Sequence, residues 1–366
     1  MLEHSSRPWR VWAFASVFGI TSLLLAACGG GSTPSSSSSS GPSGKVAFLL
    51  PENVTARWEE QDKPFFIAAM KKYAPNVQVQ VVNALNDQTK QQSQAEAALT
   101  NGAKVLVIIP VDQVAAASIV NEANQQKVPV IAYDRLIKNS PVADYVSVGG
   151  VDVGKLQGQW LADHTKAGDR IAVINGSPTD DNAHLFNQGY MGVLQPLFDS
   201  GQRVQVANIW TPGWDPAKAQ SEMDQILTKN SNNLQGVLSA NDGMAGGIIA
   251  SLQTQGLAGK VPITGLDATL AADQRILRGQ QSMTVWRSLH QEADLAAQIA
   301  TAILKGQKPD PALFNGKTVN NGQVDVPWAP LTPVVVDKSN MNLLIQDGSI
   351  SKSDLCNGIP SGTGPC

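Results

Sequence analysis

Acids, amides, guanidinium groups and indoles recur along this chain at one kind of place, just after a short apolar run. Arg57-Trp58 come shortly after run 45–50 and its trailing Pro51-Glu52-Asn53. Asp134-Arg135 follows 128–133, and Asp180 with Asn182 lies in the segment after 170–175. Trp214 follows 204–210, Asn241 follows 236–240, Asp267 follows 263–266, and Arg287 follows 282–286. Planar hydrogen-bonding groups read hydroxyls, and indole faces cover apolar C–H surfaces, so this mixture suits a neutral sugar. The candidate ligand set is therefore Arg57, Trp58, Asp134, Arg135, Asp180, Asn182, Trp214, Asn241, Asp267 and Arg287. Each has a plainer use as well. An Asp-Arg pair is equally the pattern of a structural ion pair. Asp180 and Asn182 stand where a helix cap is needed. Trp58 and Trp214 also fit a core, and Trp286 beside Arg287 reads either way.

Other chemistries fit less well. Glu52, Asp134 or Asp267 as paired carboxylates would suit a glycosidase, which needs an acid of raised pKa. Arginine beside an acid lowers its pKa, so these acids are expected to accept hydrogen bonds rather than give protons. His164, His184 and His290 are scattered without metal-ligand spacing, so neither a metal nor a cofactor is expected. Gly149-Gly150-Val151-Asp152-Val153-Gly154-Lys155 nearly matches a phosphate loop, but Leu156 stands where the magnesium-binding hydroxyl belongs. Ser177 is not in a nucleophile elbow.

The elements that would carry these residues follow a regular beat. Strands are expected at 45–50, 77–82, 104–110, 128–133, 145–148, 170–175, 204–210, 236–240, 263–266 and 282–286. Helices fall between them, with a last long one at 293–304. Unbroken apolar strands such as Lys104-Val-Leu-Val-Ile-Ile-Pro110, separated by helices, indicate parallel sheets covered on both faces. The length suits two doubly wound α/β domains in series. In such sheets ligands sit beyond the carboxyl ends of the strands, where the polar residues were found.

The start of the chain is of another kind. Arg7 and Arg10 precede an apolar run that ends Leu25-Ala26-Ala27-Cys28, and a Gly/Ser/Pro tract follows to residue 44. A basic start, a short apolar segment and small residues are the build of a secretory signal. The tract 28–44 is too polar to fold and is expected to act as a flexible leash. Residues 1–27 hold Arg7, Arg10 and Glu3, so the remainder carries 25 basic and 29 acidic residues. That balance gives no support for nucleic-acid binding. Cys356 and Cys366 sit in a Gly/Pro-rich tail, 346–366, and are expected to pair in an oxidising compartment.

Taken together, the motifs resemble a known family. Arg57-Trp58, Ala132-Tyr133-Asp134-Arg135, Gly176-Ser177-Pro178, Asp180, Asn182-Ala183, Gly213-Trp214, Ser239-Ala240-Asn241-Asp242, Asp267-Ala268, Met283-Thr284-Val285 and Asn320-Asn321-Gly322 carry the likeness. The chain resembles the sugar-binding proteins of bacterial ABC importers, of the ribose- and galactose-binding type. The xylose-binding members are the nearest match. The segment around Cys28 is similar to a lipobox, in which that cysteine becomes the lipidated first residue. The resemblance implies a monomeric, lipid-anchored, extracytoplasmic protein without enzymatic activity. It would bind a monosaccharide, xylose foremost, and deliver it to an importer permease. It also implies a three-crossing hinge between a domain of 45–135 plus 288–330 and another of 136–287 plus 331–345. Two positions depart from the family: Arg287 replaces a lysine, and Pro51-Glu52 replaces an acidic pair.

Overall fold

The computed structural model describes residues 41–366. The signal segment, Cys28 and the leash up to residue 40 lie outside them. In the first half, β1 (Gly44–Leu50), α1 (Lys63–Tyr73), β2 (Val77–Asn83), α2 (Gln88–Thr100), β3 (Ala103–Ile108), α3 (Ala117–Gln125), β4 (Val130–Tyr133) and β5 (Asp144–Val148) alternate. Then come α4 (Gly150–Asp163), β6 (Arg170–Asn175), α5 (Asp181–Asp199), β7 (Val204–Trp210), α6 (Pro216–Lys229), β8 (Gly236–Ser239), α7 (Asp242–Thr254), α8 (Leu270–Leu277) and β9 (Thr284–Trp286). The chain ends with α9 (Leu289–Leu304), β10 (Thr318–Asn320), β11 (Asp325–Leu331), β12 (Val334–Val336), α10 (Asn342–Asp347) and α11 (Lys352–Leu355).

Two sheets organise these elements. The first has the order β10-β11-β5-β4-β3-β1-β2 and is parallel except for the β10–β11 pair. The second runs β7-β6-β8 in parallel. Single bridges from Val237 to Ile263 and from Leu266 to Val285 continue it to the antiparallel pair β9–β12. Alternation along the strands builds two cores on the first sheet. Val46, Phe48, Leu50, Val105 and Val107 face one. Ala47, Leu49, Leu106 and Ile108 face the other, against Leu99, Ile119 and Val120. Each of the Val, Leu, Ile and Phe side chains here, fully buried, contributes about 1.5–3 kcal/mol.

Sheet membership corrects the division drawn from sequence. β5 bonds to β4 and β11, so it belongs to the first lobe and not to the second, as a boundary after Arg135 has it. A short run such as 145–148 shows a strand but not its neighbour; here Val146 and Val148 enter one core of the first sheet and Tyr145 the other. The β10–β11 hairpin has no place among the strands expected from sequence; Pro327 and Pro330 lie within β11, where proline is unusual. The tail is no separate piece. Met341, Leu344, Ile350 and Leu355 pack with Ile276, Leu277 and Trp286 in a third cluster, which leaves Trp286 a packing residue. Cys356 and Cys366 form a disulfide in it. The tail also reaches the first lobe, where the His290 ring stacks on Phe65 and its Nε2 lies 3.1 Å from the Gly348 carbonyl.

The phosphate-loop look-alike has a mechanical explanation. Gly150, Gly154 and Gly158 fall on one side of α4, against α5. A Cβ at Gly154 would lie 2.1 Å from the Phe186 carbonyl oxygen, and one at Gly189 on α5 would lie 2.2 Å from that of Val151. The glycines let two helix backbones touch. Among the described residues the chain passes between the lobes three times: β5 to α4, β9 to α9 and β11 to β12.

Candidate functional site

All ten sequence-predicted side chains line one cavity of about 300 Å³, together with Thr55, Phe186 and Leu266. None of the ten is more than 7% exposed. The strand-end loops of both lobes supply them. Arg57 precedes a π-helical turn, Trp58–Asp62, while Asp134 and Arg135 follow β4. From the second lobe, Asp180 and Asn182 start α5, Asn241 caps α7, and Trp214 ends a short 3-10 turn. Asp134, Trp214 and Asp267 hold φ of 60°, 57° and 101°. Such left-handed geometry costs on the order of 1–3 kcal/mol per residue and is typical of residues aimed at a site. Gly176 makes room for Trp214, since a Cβ there would fall 2.0 Å from the indole ring.

The polar groups are tightly connected. Arg57 makes a two-pronged contact with Asp62, 2.7 Å from each oxygen, and donates to Asp134 Oδ2 at 2.9 Å. Arg287 donates to the same Asp134 oxygen through Nη2. Its Nη1 reaches Asp267 Oδ1 at 3.3 Å, and Arg57 Nη1 reaches that oxygen at 3.4 Å. Asn182 donates to Asp134 Oδ1 at 3.0 Å. Asp180 does several things at once. Its Oδ1 accepts the Asn182 amide and caps α5, and its Oδ2 accepts Trp214 Nε1 at 3.0 Å and forms an ion pair with Arg135, 2.7 Å from Nε. The helix-cap reading is therefore true of Asp180 but not of Asn182, whose side chain bonds Asp134; Asn241, which accepts the Met244 amide, is a cap as well, and all three face the cavity. Trp58 lies with the Arg57 guanidinium 4.2 Å over its ring.

Burial governs the acids more than arginine does, which corrects the sequence expectation. Burial lifts Asp267 to about 7 and Asp180 to about 6, although Arg57 and Arg135 respectively pull them down. Asp134 is also raised by burial, against the pull of Arg57 and Arg135. For Arg57, burial opposes the charge, but Asp62 and Asp134 more than offset it and hold its pKa above the ordinary value. Such an enclosure offers acceptors, donors and flat apolar faces to an uncharged ligand.

Residues 46–308 match the family model of the periplasmic binding protein domain. The chain belongs to the periplasmic binding protein family. The D-xylose-binding periplasmic protein of Escherichia coli is 39% identical to this binding protein over 312 residues, covering 85% of this chain and 92% of the relative. The multiple sugar-binding periplasmic receptor of Rhizobium radiobacter is 33% identical, with the same coverage. Among solved structures, a carbohydrate transporter solute-binding protein from Chloroflexus aurantiacus, in complex with D-glucose, is 30% identical. It superposes with a TM-score of 0.79, covering 85% of this chain and 98% of that one. The chain is thus a binding protein of the sugar-binding, ribose-like type and not an enzyme.

Three further acids support the site: Glu52, weighed from sequence only as a catalytic carboxylate, and Asp62 and Glu292, which no motif marked. Glu52 accepts Trp58 Nε1 at 2.5 Å and the Thr55 amide at 2.8 Å, which fixes the indole. Asp62 and Glu292 lie behind the arginines. A signal for the last two was present, since each follows an arginine by five residues and lies at or within the first turn of a helix. Among the described residues no helix is long and apolar enough to cross a membrane, and no group of three or more His, Cys, Asp or Glu could hold a metal ion.

Proposed function

We propose that this protein binds a single monosaccharide, D-xylose foremost, between its two lobes and hands it to an ABC importer permease. The observation that carries this reading is the cavity itself. Three guanidinium groups, three carboxylates, two carboxamides and two indoles surround about 300 Å³. That set matches the hydroxyls and C–H faces of one sugar ring. The xylose relative at 39% identity supports the choice of sugar. Walls drawn from both lobes support closure about the three crossings, the sugar stabilising the closed form by its differential contacts. The Cys28 segment supports lipid anchoring outside the cytoplasm, the protein working as a monomer.

A hexose reading has its own support in the D-glucose complex of the Chloroflexus protein and in the multiple-sugar relative. Calorimetric titration against a panel of pentoses and hexoses separates the two. Xylose is expected to bind most tightly, and a hexose binding more tightly than xylose would reject that choice. Release of sugar from xylo-oligosaccharides is expected to be nil. Cys28→Ser is expected to free a folded protein from the membrane fraction; a variant that resists salt washing would reject the anchor.

A further inference from the structure

Arg57 and Arg287, both on the cavity wall, each lean on an acid that the cavity does not touch. Asp62 grips Arg57 with two 2.7 Å bonds and accepts the Tyr133 hydroxyl at 2.8 Å. Glu292, in the first turn of α9, accepts Arg287 Nε at 3.2 Å through Oε2, and the same oxygen lies 3.5 Å from Arg57 Nη2. Its other oxygen is buried and has no hydrogen-bond partner among the described residues. Glu292 is fully buried and is not part of the cavity wall. The remaining contacts of Arg287 are to Asp134 and Asp267, which do form that wall. Hydroxyl groups of a ligand compete for those two acids, but they cannot reach Glu292.

We infer that Glu292 is a positioning residue that holds Arg287 through its Nε, so that Nη1 and Nη2 stay aimed into the cavity when Asp134 and Asp267 engage a ligand. The inference rests on the monosaccharide reading of the cavity. An arginine free at Nε would swing aside; one held there keeps its place and narrows the pocket. The shared Oε2 also fixes the spacing between Arg287 and Arg57. A buried group shared by two others couples them energetically, and removing it should be felt through Arg287 rather than independently of it.

The test uses the full chain with Glu292→Leu, Glu292→Gln, Arg287→Met and the Glu292→Leu/Arg287→Met double variant. Glu292→Leu should weaken xylose binding roughly tenfold, the scale of coupling within one ion-pair network. Glu292→Gln keeps a carbonyl acceptor and should recover most of that loss. In the Arg287→Met background, Glu292→Leu should change affinity by less than about twofold. A second readout needs no sugar. The Arg287 Nε–H resonance should be protected from exchange in the wild type and in Glu292→Gln, and exposed in Glu292→Leu, while that of Arg57 stays protected throughout. An equal loss in the Arg287→Met background, or a protected Arg287 Nε–H in Glu292→Leu, overturns the inference. If the wild type binds no monosaccharide, the function reading fails, and the exchange measurement still decides the role of Glu292.

Discussion

Replacing Asp134 by asparagine removes one charge at the point where Arg57, Arg287 and Asn182 converge. One carboxylate oxygen becomes an N–H₂ that faces donors. The fold should tolerate this, because Arg57 keeps both bonds to Asp62, and Arg287 keeps Glu292 and Asp267. Stability should fall by about 1–3 kcal/mol, below the ~3–5 kcal/mol for a buried ion left wholly unpaired. Binding should suffer more visibly. A hydrogen bond from a sugar hydroxyl to a buried carboxylate contributes about 1.5–3 kcal/mol, so affinity should drop roughly tenfold to 150-fold. Asp134→Ala is the harsher change. Residue 134 has a φ of 60°. Asparagine tolerates that region and alanine does not, so the alanine variant should lose about a further 1–2 kcal/mol. Calorimetry for the sugar and thermal melts for the fold read the two effects separately. If both variants bind as the wild type does, Asp134 is a structural residue and the cavity assignment is wrong.

Three other outcomes follow from the geometry. Asp267 lies at about 7 through burial, and its ionised form is the stronger acceptor for a hydroxyl, so sugar binding should favour that form and release a proton. Affinity should then fall as pH drops through 7, by at most about tenfold per unit, and the binding enthalpy should vary with the buffer; a flat profile removes Asp267 from the contact set. Gly176→Ala puts a methyl group where the Trp214 ring lies, so sugar affinity and tryptophan fluorescence should both change while the melt stays cooperative; unaltered binding would show that Trp214 does not matter to the ligand. Replacing Cys356 and Cys366 by serine opens a loop of 10-residue separation, which costs about 2–3 kcal/mol at most. Amide exchange should quicken in the tail and along α8 but not in β3, and a global loss of protection would contradict the local role.

The buried parallel strands were the most legible part of the chain, since runs such as 104–110 have no other use. The site was legible for the same reason: a doubly wound sheet delivers whatever follows its strands to one rim, so ten residues scattered in sequence meet. What was hidden depends on pairing rather than pattern. β5 carries no mark of its neighbours, and Pro327 and Pro330 disguise β11. Asp62 and Glu292 read as ordinary acids near helix starts until the arginines in front of them are seen to be buried. The rise of Asp267 and Asp180 was missed because neighbouring charge is visible in sequence and depth of burial is not.

The three crossings also bear on how this molecule is made. Val148 on β5 pairs with Leu331 on β11, half a chain length away, and the β10 edge of the first sheet is not built until that contact closes. Closing so long a loop carries an entropic cost before the sheet rewards it, and pairings of this kind slow folding. Neither lobe can be completed from the N-terminal half alone. An emerging chain therefore cannot complete either lobe until nearly all of it has been synthesised.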